Sequence, residues 1–180
     1  MFTIFQDYGF VLKIFNDQVL RPPELQRKTA NATGVKQANE QKSAGMPIII
    51  VPNSASCSIS VLNALDFLER GEFISSEEKK QSGAKRMAEQ VVQRVDPITG
   101  VTKNYKLIDN PINLSPQDWD RVVVVFVSGQ LWQFKGWKWP APVDLFRNVL
   151  GVYLTFDNRA IDTTVQSWNC KVIKVFNFNL

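Results

Sequence analysis

The sequence predicts an α/β domain with a mixed, mostly parallel sheet, and three observations lead to this prediction. Two segments, 47–51 and 121–127, consist mainly of β-branched residues without polar interruption after their first residue, which is typical of strands buried on both faces, as parallel strands are. The first run is followed by a turn and then by apolar residues at helical spacing. Two later extended segments joined by a turn-rich loop predict a hairpin, which adds an antiparallel pair.

In the first half of the domain, the predicted strand 47–51 leads through the turn 52–56 into a helix over 58–68. Ser58 is a suitable N-cap for that helix, and Gly71 is a suitable residue to end it. Residues 75–88 are charged, and we expect a mobile, solvated stretch there. The hairpin strands are predicted at 91–95 and 101–108, with residues 96–100 as their loop.

In the second half, a short helix is predicted to begin at Ser115, because Pro116 and acidic Asp118 follow this N-cap. The central strand 121–127 comes next and ends at Ser128. Four elements complete the prediction: a helix over 143–150, a strand over 152–156, a turn of helix within 161–168 and a last strand over 171–176.

Length and composition indicate one globular domain, preceded by an N-terminal segment that lies outside it. The sequence has 180 residues, of which 44% are hydrophobic and 21% charged. Residues 1–45 are interpreted as an apolar segment, forming a short hairpin or helix, followed by a flexible polar linker, and the domain as 46–180. Residues 1–20 lack the basic start and small-residue cleavage site of a signal peptide. No apolar run reaches the length of a membrane span.

The missing residue types exclude several kinds of site. There is no histidine, which removes the Ser–His and Cys–His nucleophile arrangements and histidine metal sites. Two cysteines are too few for a cysteine-based zinc site. The sequence therefore predicts no catalytic residues, no metal and no cofactor. The net charge of +4 is spread along the chain and is mildly consistent with an anionic partner.

The loop after the first strand occupies the position of a phosphate-binding loop. Residues 52–58, Pro-Asn-Ser-Ala-Ser-Cys-Ser, contain neither the glycines nor the lysine on which such a loop depends. A small nucleotide-binding protein remains an alternative interpretation, although this loop lacks the residues that usually bind the phosphates. A helix dipole could lower the pKa of Cys57, but we interpret this residue as a structural thiol.

Residues 132–139 alternate aromatic and basic side chains. The members of this stretch are Trp132, Phe134, Lys135, Trp137, Lys138 and Trp139. Three interpretations stay open: an aromatic lid over the core, a surface for acidic or phosphorylated peptides, or a stacking platform for single-stranded nucleic acid. Arg121, directly before the central strand, adds a cation able to make bidentate contacts.

Four segments closely resemble the C-terminal domain of the parafibromin family in order and spacing. They are 47–54 (PIIIVPNS), 116–127 (PQDWDRVVVVFV), 132–137 (WQFKGW) and 142–146 (PVDLF). The resemblance covers about three quarters of the chain. It implies a three-layer Ras-like fold, related to P-loop NTPases, without a functional nucleotide site. The family's domain continues into a further helix after the last strand, so we expect that helix to be missing from this sequence, which ends at Leu180.

The same resemblance implies a non-enzymatic subunit of the nuclear PAF complex, which accompanies RNA polymerase II. The implied partners are the other subunits of the complex, phosphorylated repeats of polymerase II and of elongation factors, and chromatin, with neither a membrane nor a small-molecule substrate. The implied role is to support transcription elongation and the histone modification coupled to it. Arg121 would pair with a phosphate and Trp132 would flank an extended peptide, with Lys135, Trp137 and Lys138 as further candidates.

Overall fold

A six-stranded sheet organises the residues that the computed structural model describes, which are 45–54, 56–95 and 100–175. Its strands are β1 (Ile48–Ile50), β2 (Glu89–Val95), β3 (Thr102–Ile108), β4 (Val122–Val127), β5 (Leu150–Phe156) and β6 (Cys170–Val175). They lie in the order β2-β3-β1-β4-β5-β6. The β2–β3 pair is antiparallel and the other neighbours are parallel, so the prediction of a mixed, mostly parallel sheet is confirmed.

The two β-branched runs form the centre of this sheet. Strand β1 pairs with β3 on one side and β4 on the other, and all three of its isoleucines are fully buried. Strand β4 lies between β1 and β5 and is buried along almost its whole length. Burial on both faces explains why neither strand shows the alternation of polar and apolar residues typical of half-exposed strands.

The sheet has an apolar core on each face, which confirms the three-layer architecture. Along β4, Val124 and Phe126 belong to one core, whereas Val125 and Val127 belong to the other. The helical segments are α1 (Asp66–Arg70, a π-helix), α2 (Ser76–Gln81), α3 (Pro116–Trp119), a 3₁₀ helix (Leu131–Phe134), α4 (Pro142–Asn148) and α5 (Thr163–Gln166). Helix α1 packs on the first face, and α3, the 3₁₀ helix and α4 pack on the second.

The prediction of a helix over 58–68 is wrong in its start, because the side chain of Asn63 holds residues 58–60 outside the helix. Its Oδ1 accepts a hydrogen bond from the Ser60 amide at 2.8 Å. Its Nδ2 donates to the carbonyl oxygens of Ser58 and Ile74, at 2.9 and 2.8 Å. Ser58 is therefore no cap, whereas Gly71 does end the helical segment, with a left-handed φ of 71°.

Two further boundaries differ from the prediction. Within residues 75–88, expected to be a mobile stretch, the structure has α2, whose N-terminus is closed by a capping box between Ser75 and Glu78. Strand β5 begins at Leu150, where the preceding helix was expected to end, because Val149 is already extended. Residues 1–44, 55, 96–99 and 176–180 lie outside the described residues, and with them the predicted apolar segment, nearly all of the predicted linker and hairpin loop, and the end of the predicted last strand. None of the helices in the described ranges is both long and apolar enough to cross a membrane.

Candidate functional site

The predicted site residues are divided between the two ends of β4. Arg121 directly precedes this strand, and Trp132 follows it on the 3₁₀ helix. A strand rises about 3.3 Å per residue, so the two ends of the six-residue strand β4 lie about 20 Å apart. Arg121 and Trp132 are therefore too far apart to contact the same side chain of a bound peptide.

At the start of β4, Arg121 is held by groups of the protein itself. Its Nη1 donates to the carbonyl oxygen of Met46 at 2.8 Å, and its Nη2 pairs with the carboxylate of Asp118. Asp118 also accepts hydrogen bonds from the amide and hydroxyl of Ser115 and so closes the capping box of α3. Hydrogen bonds from the Ser115 hydroxyl and amide, followed in importance by the hydrogen bond from Arg121, lower the pKa of Asp118 to about 2. Arg121 thus joins the beginning of the domain to α3.

The aromatic stretch divides into core and surface, which resolves one alternative that the sequence left open. Trp137 is buried on the second face of the sheet, with its ring centroid 5.3 Å from that of Phe134 and 5.7 Å from that of Trp119. The ring of Trp139 also packs edge-on against Trp119, with the two centroids 5.5 Å apart. Only 8% of the surface of Trp137 is exposed, so little of its ring is open to the ligand that the sequence led us to expect there.

The other three candidates are exposed. Trp132 keeps 65% of its surface accessible, which is unusual for so large an apolar side chain. Lys135 is also exposed. The Nζ of Lys138 lies 2.9 Å from the Asp120 carboxylate and 4.8 Å from the Trp139 ring centroid, so its charge is already balanced.

Trp132 also lines a cavity of about 250 Å³ at the carboxyl ends of β1, β4 and β5. The loop after β1 contributes Ser54, Ser56 and Ser58, while Ser128 follows β4 and Thr155 lies near the end of β5. Gln130, Tyr153 and Arg159 are further polar residues of the lining. Arg159 is the one charged residue among those that line it.

The surroundings of Cys57, the cysteine of this loop, do not favour the thiolate form. Burial raises the pKa of the Cys57 thiol, and a hydrogen bond with Ser54 opposes this only in part. The thiol therefore stays protonated near neutral pH, consistent with a structural role. The Ser54 and Ser56 hydroxyls hydrogen-bond each other at 2.7 Å.

Sequence reasoning missed Arg159, Tyr153 and Thr155 as neighbours of Trp132. One signal was available, because Arg159 follows a predicted parallel strand at its carboxyl end, where ligands of open α/β sheets bind. The polar loop 157–160 nevertheless carries no recognisable motif. Only the sheet order places that loop beside the loop that follows β1.

Comparisons with known proteins agree with the resemblance of the sequence. The family described as "RNA pol II accessory factor, Cdc73 family, C-terminal" matches residues 43–178. "Cell division cycle protein 73" of Caenorhabditis elegans is 33% identical over 148 residues, which cover 82% of this chain and 28% of that protein. "Protein CDC73 homolog" of Arabidopsis thaliana is 37% identical over 136 residues, covering 73% of this chain and 33% of that protein.

A solved structure is also similar. "The conserved domain of yeast Cdc73" superimposes with a TM-score of 0.66 at 25% identity, covering 73% of this chain and 83% of that one. The chain thus spans about a third of the length of the curated relatives described above and most of the solved yeast domain.

Proposed function

The chain belongs to the C-terminal part of the Cdc73 family of RNA polymerase II accessory factors, and on this premise we propose that it is a recruitment module that binds phosphorylated repeats. It acts as part of a nuclear PAF-complex subunit and attaches that complex to elongating polymerase and chromatin. The repeats belong to polymerase II and its elongation factors. In this role the chain supports elongation and the coupled histone modification without catalysing a reaction.

One observation carries the proposal: the exposed indole of Trp132 at the rim of a cavity lined by hydroxyl groups and a single arginine. An exposed aromatic ring is a typical anchor for an extended peptide. Hydroxyl groups and an arginine are typical donors to a phosphoryl group. The combination suits a phosphorylated peptide better than an unphosphorylated one.

The cavity suits a nucleotide poorly. Pockets that hold a complete small-molecule ligand usually measure about 300–1,000 Å³, and this one has about 250 Å³. The loop at its edge lacks the glycines that let backbone amides surround phosphates and the lysine that binds them. A phosphorylated side chain needs less space and fewer donors than a nucleoside triphosphate.

The test is a titration of the full chain with a phosphorylated polymerase II repeat peptide and with its unphosphorylated twin. We expect tighter binding of the phosphorylated peptide, at least a tenfold loss in Trp132→Ala, and recovery in Trp132→Phe, which restores an aromatic face. Val143→Ala is the control, because it removes another exposed apolar side chain from α4 on the second face.

Equal binding of the two peptides by the folded wild type would refute the proposed function. Binding that falls steeply with salt and favours single-stranded nucleic acid would support the nucleic-acid interpretation instead. Arg121→Ala is measured in parallel for both folding and binding. The sequence predicted that Arg121 pairs with a phosphate, whereas in the structure it binds Met46 and Asp118.

A further inference from the structure

The cavity beside Trp132 lies where the chain reverses its direction across the sheet. From β1 the chain moves outward to β2 and β3, and then returns past β1 to β4 and continues to β5 on the other side. The reversal lies between β1 and β4. Loops at the carboxyl ends of these two strands diverge and leave a crevice, which is the usual ligand position in open α/β sheets.

The chemistry of the crevice favours an anion. Its lining includes four serine hydroxyls and the hydroxyl of Thr155, and it contains no carboxylate. Hydroxyl groups can donate to phosphoryl oxygens, and the lack of a carboxylate leaves the positive charge of Arg159 uncompensated within the cavity.

Arg159 differs from the other arginines of the described ranges, each of which has an acceptor within the protein. Those five are Arg70, Arg86, Arg94, Arg121 and Arg147, paired with Asp66, Asp109, the Leu68 carbonyl, Asp118 and Asp144 respectively. Among the described residues, the guanidinium of Arg159 has neither a carboxylate nor a carbonyl partner. All five of its N–H donors therefore remain available to a ligand.

The Arg159 side chain is nevertheless positioned. Its guanidinium carbon lies 5.3 Å from the ring centroid of Phe156, within the range of a cation–π contact. The Phe156 ring in turn packs edge-on against Phe73 at 5.4 Å. This support reduces the conformational entropy that an exposed arginine loses when it binds a ligand.

We propose that this cavity receives the phosphoryl group of the bound peptide, with Arg159 as its cation and the Ser56, Ser58 and Thr155 hydroxyls as further donors, while Trp132 packs on a flanking residue of the peptide. The assignment rests on the proposed function, and it replaces Arg121 by Arg159 as the residue that binds the phosphoryl group. Arg121, at the far end of β4, then belongs to the internal structure of the domain.

The experiment compares Arg159→Gln with Arg147→Gln, which removes the same charge from an exposed position on α4. Both full-length variants and the wild type are titrated with the phosphorylated repeat peptide and its unphosphorylated twin. In a second arm, N-acetyl phosphoserine amide is titrated into ¹⁵N-labelled protein while the amide signals of residues 56–58 and 155–159 are followed.

We expect Arg159→Gln to weaken binding of the phosphorylated peptide about tenfold or more, with little change for the unphosphorylated twin. Arg147→Gln should bind as the wild type does. The small phosphoserine probe should shift the cavity amides of the wild type, and these shifts should be lost in Arg159→Gln.

The two proposals fail in different ways. If the wild type prefers the phosphorylated peptide and Arg159→Gln keeps that preference, this assignment is wrong and the proposed function stands. If the wild type does not distinguish the peptides, the proposed function is wrong and this assignment is wrong with it. A preference lost equally in Arg159→Gln and Arg147→Gln would indicate a general charge effect and would also overturn the assignment.

Discussion

Replacing Trp137 and Trp132 by alanine makes the same chemical change in two environments. A tryptophan side chain presents on the order of 200 Å² of surface, and Trp137 has only 8% of its surface exposed. At about 25 cal/mol per Å² removed from water, its burial stabilises the fold by at most about 4.6 kcal/mol. Trp132 is 65% exposed, so the same product gives at most about 1.8 kcal/mol for its buried third.

The measurement is urea unfolding of the full chain followed by far-ultraviolet circular dichroism, because the substitutions alter tryptophan fluorescence directly. We expect Trp137→Ala to lower the free energy of unfolding by about 4 kcal/mol, and Trp132→Ala by less than about 1.8 kcal/mol. In a domain of this size each kcal/mol shifts Tm by about 4 °C, so the difference is also visible on heating. Equal losses of stability in the two variants would refute the division of the aromatic stretch into core and surface.

Three further substitutions test other parts of the structure by the same unfolding measurement. Asn63→Ala should cost about 3 kcal/mol, because one buried and two partly buried backbone groups lose their hydrogen bonds; a change below 1 kcal/mol, on the order of a single net hydrogen bond, would contradict this explanation. Gly151→Ala should cost about 1–3 kcal/mol, since its Cβ would lie 2.6 Å from the Phe146 ring; wild-type stability would show that the ring moves freely. The pKa of Asp118 is lowered from 3.8 to about 2, so its carboxylate stabilises the fold above about pH 4 and loses this effect as the pH falls towards 2. The stability difference between wild type and Asp118→Asn should therefore shrink over that range, and a constant difference would contradict the assignment.

Much of the architecture could be predicted from local pattern. The runs at 47–51 and 121–127 are long, β-branched and unbroken, and only burial on both faces accounts for such composition in a soluble domain. Ser115, Pro116 and Asp118 contain the complete chemistry of a helix start, and the structure uses it as predicted. Local prediction was wrong at residues 58–60, where the Asn63 side chain binds the backbone in competition with the helix.

The candidate site was predicted less well, because its residues come from distant parts of the sequence. Arg121 and Trp132 were both expected to contact the bound peptide, yet β4 runs between them and places them at its opposite ends. Arg159 and Ser56 are about a hundred positions apart and line one cavity. No local pattern contains that juxtaposition.

The fold class, the central strands and the hairpin could be predicted from the sequence, because each depends on residues close together in the chain. The same holds for the lack of the glycines and lysine of a phosphate-binding loop. Which tryptophan is buried, which arginine lacks a partner in the described residues and which loops meet became visible only in the folded domain. These outcomes depend on the order of the strands and on packing across the sheet. Trp132 and Trp137 have the same intrinsic chemistry, and only their neighbours in space differ.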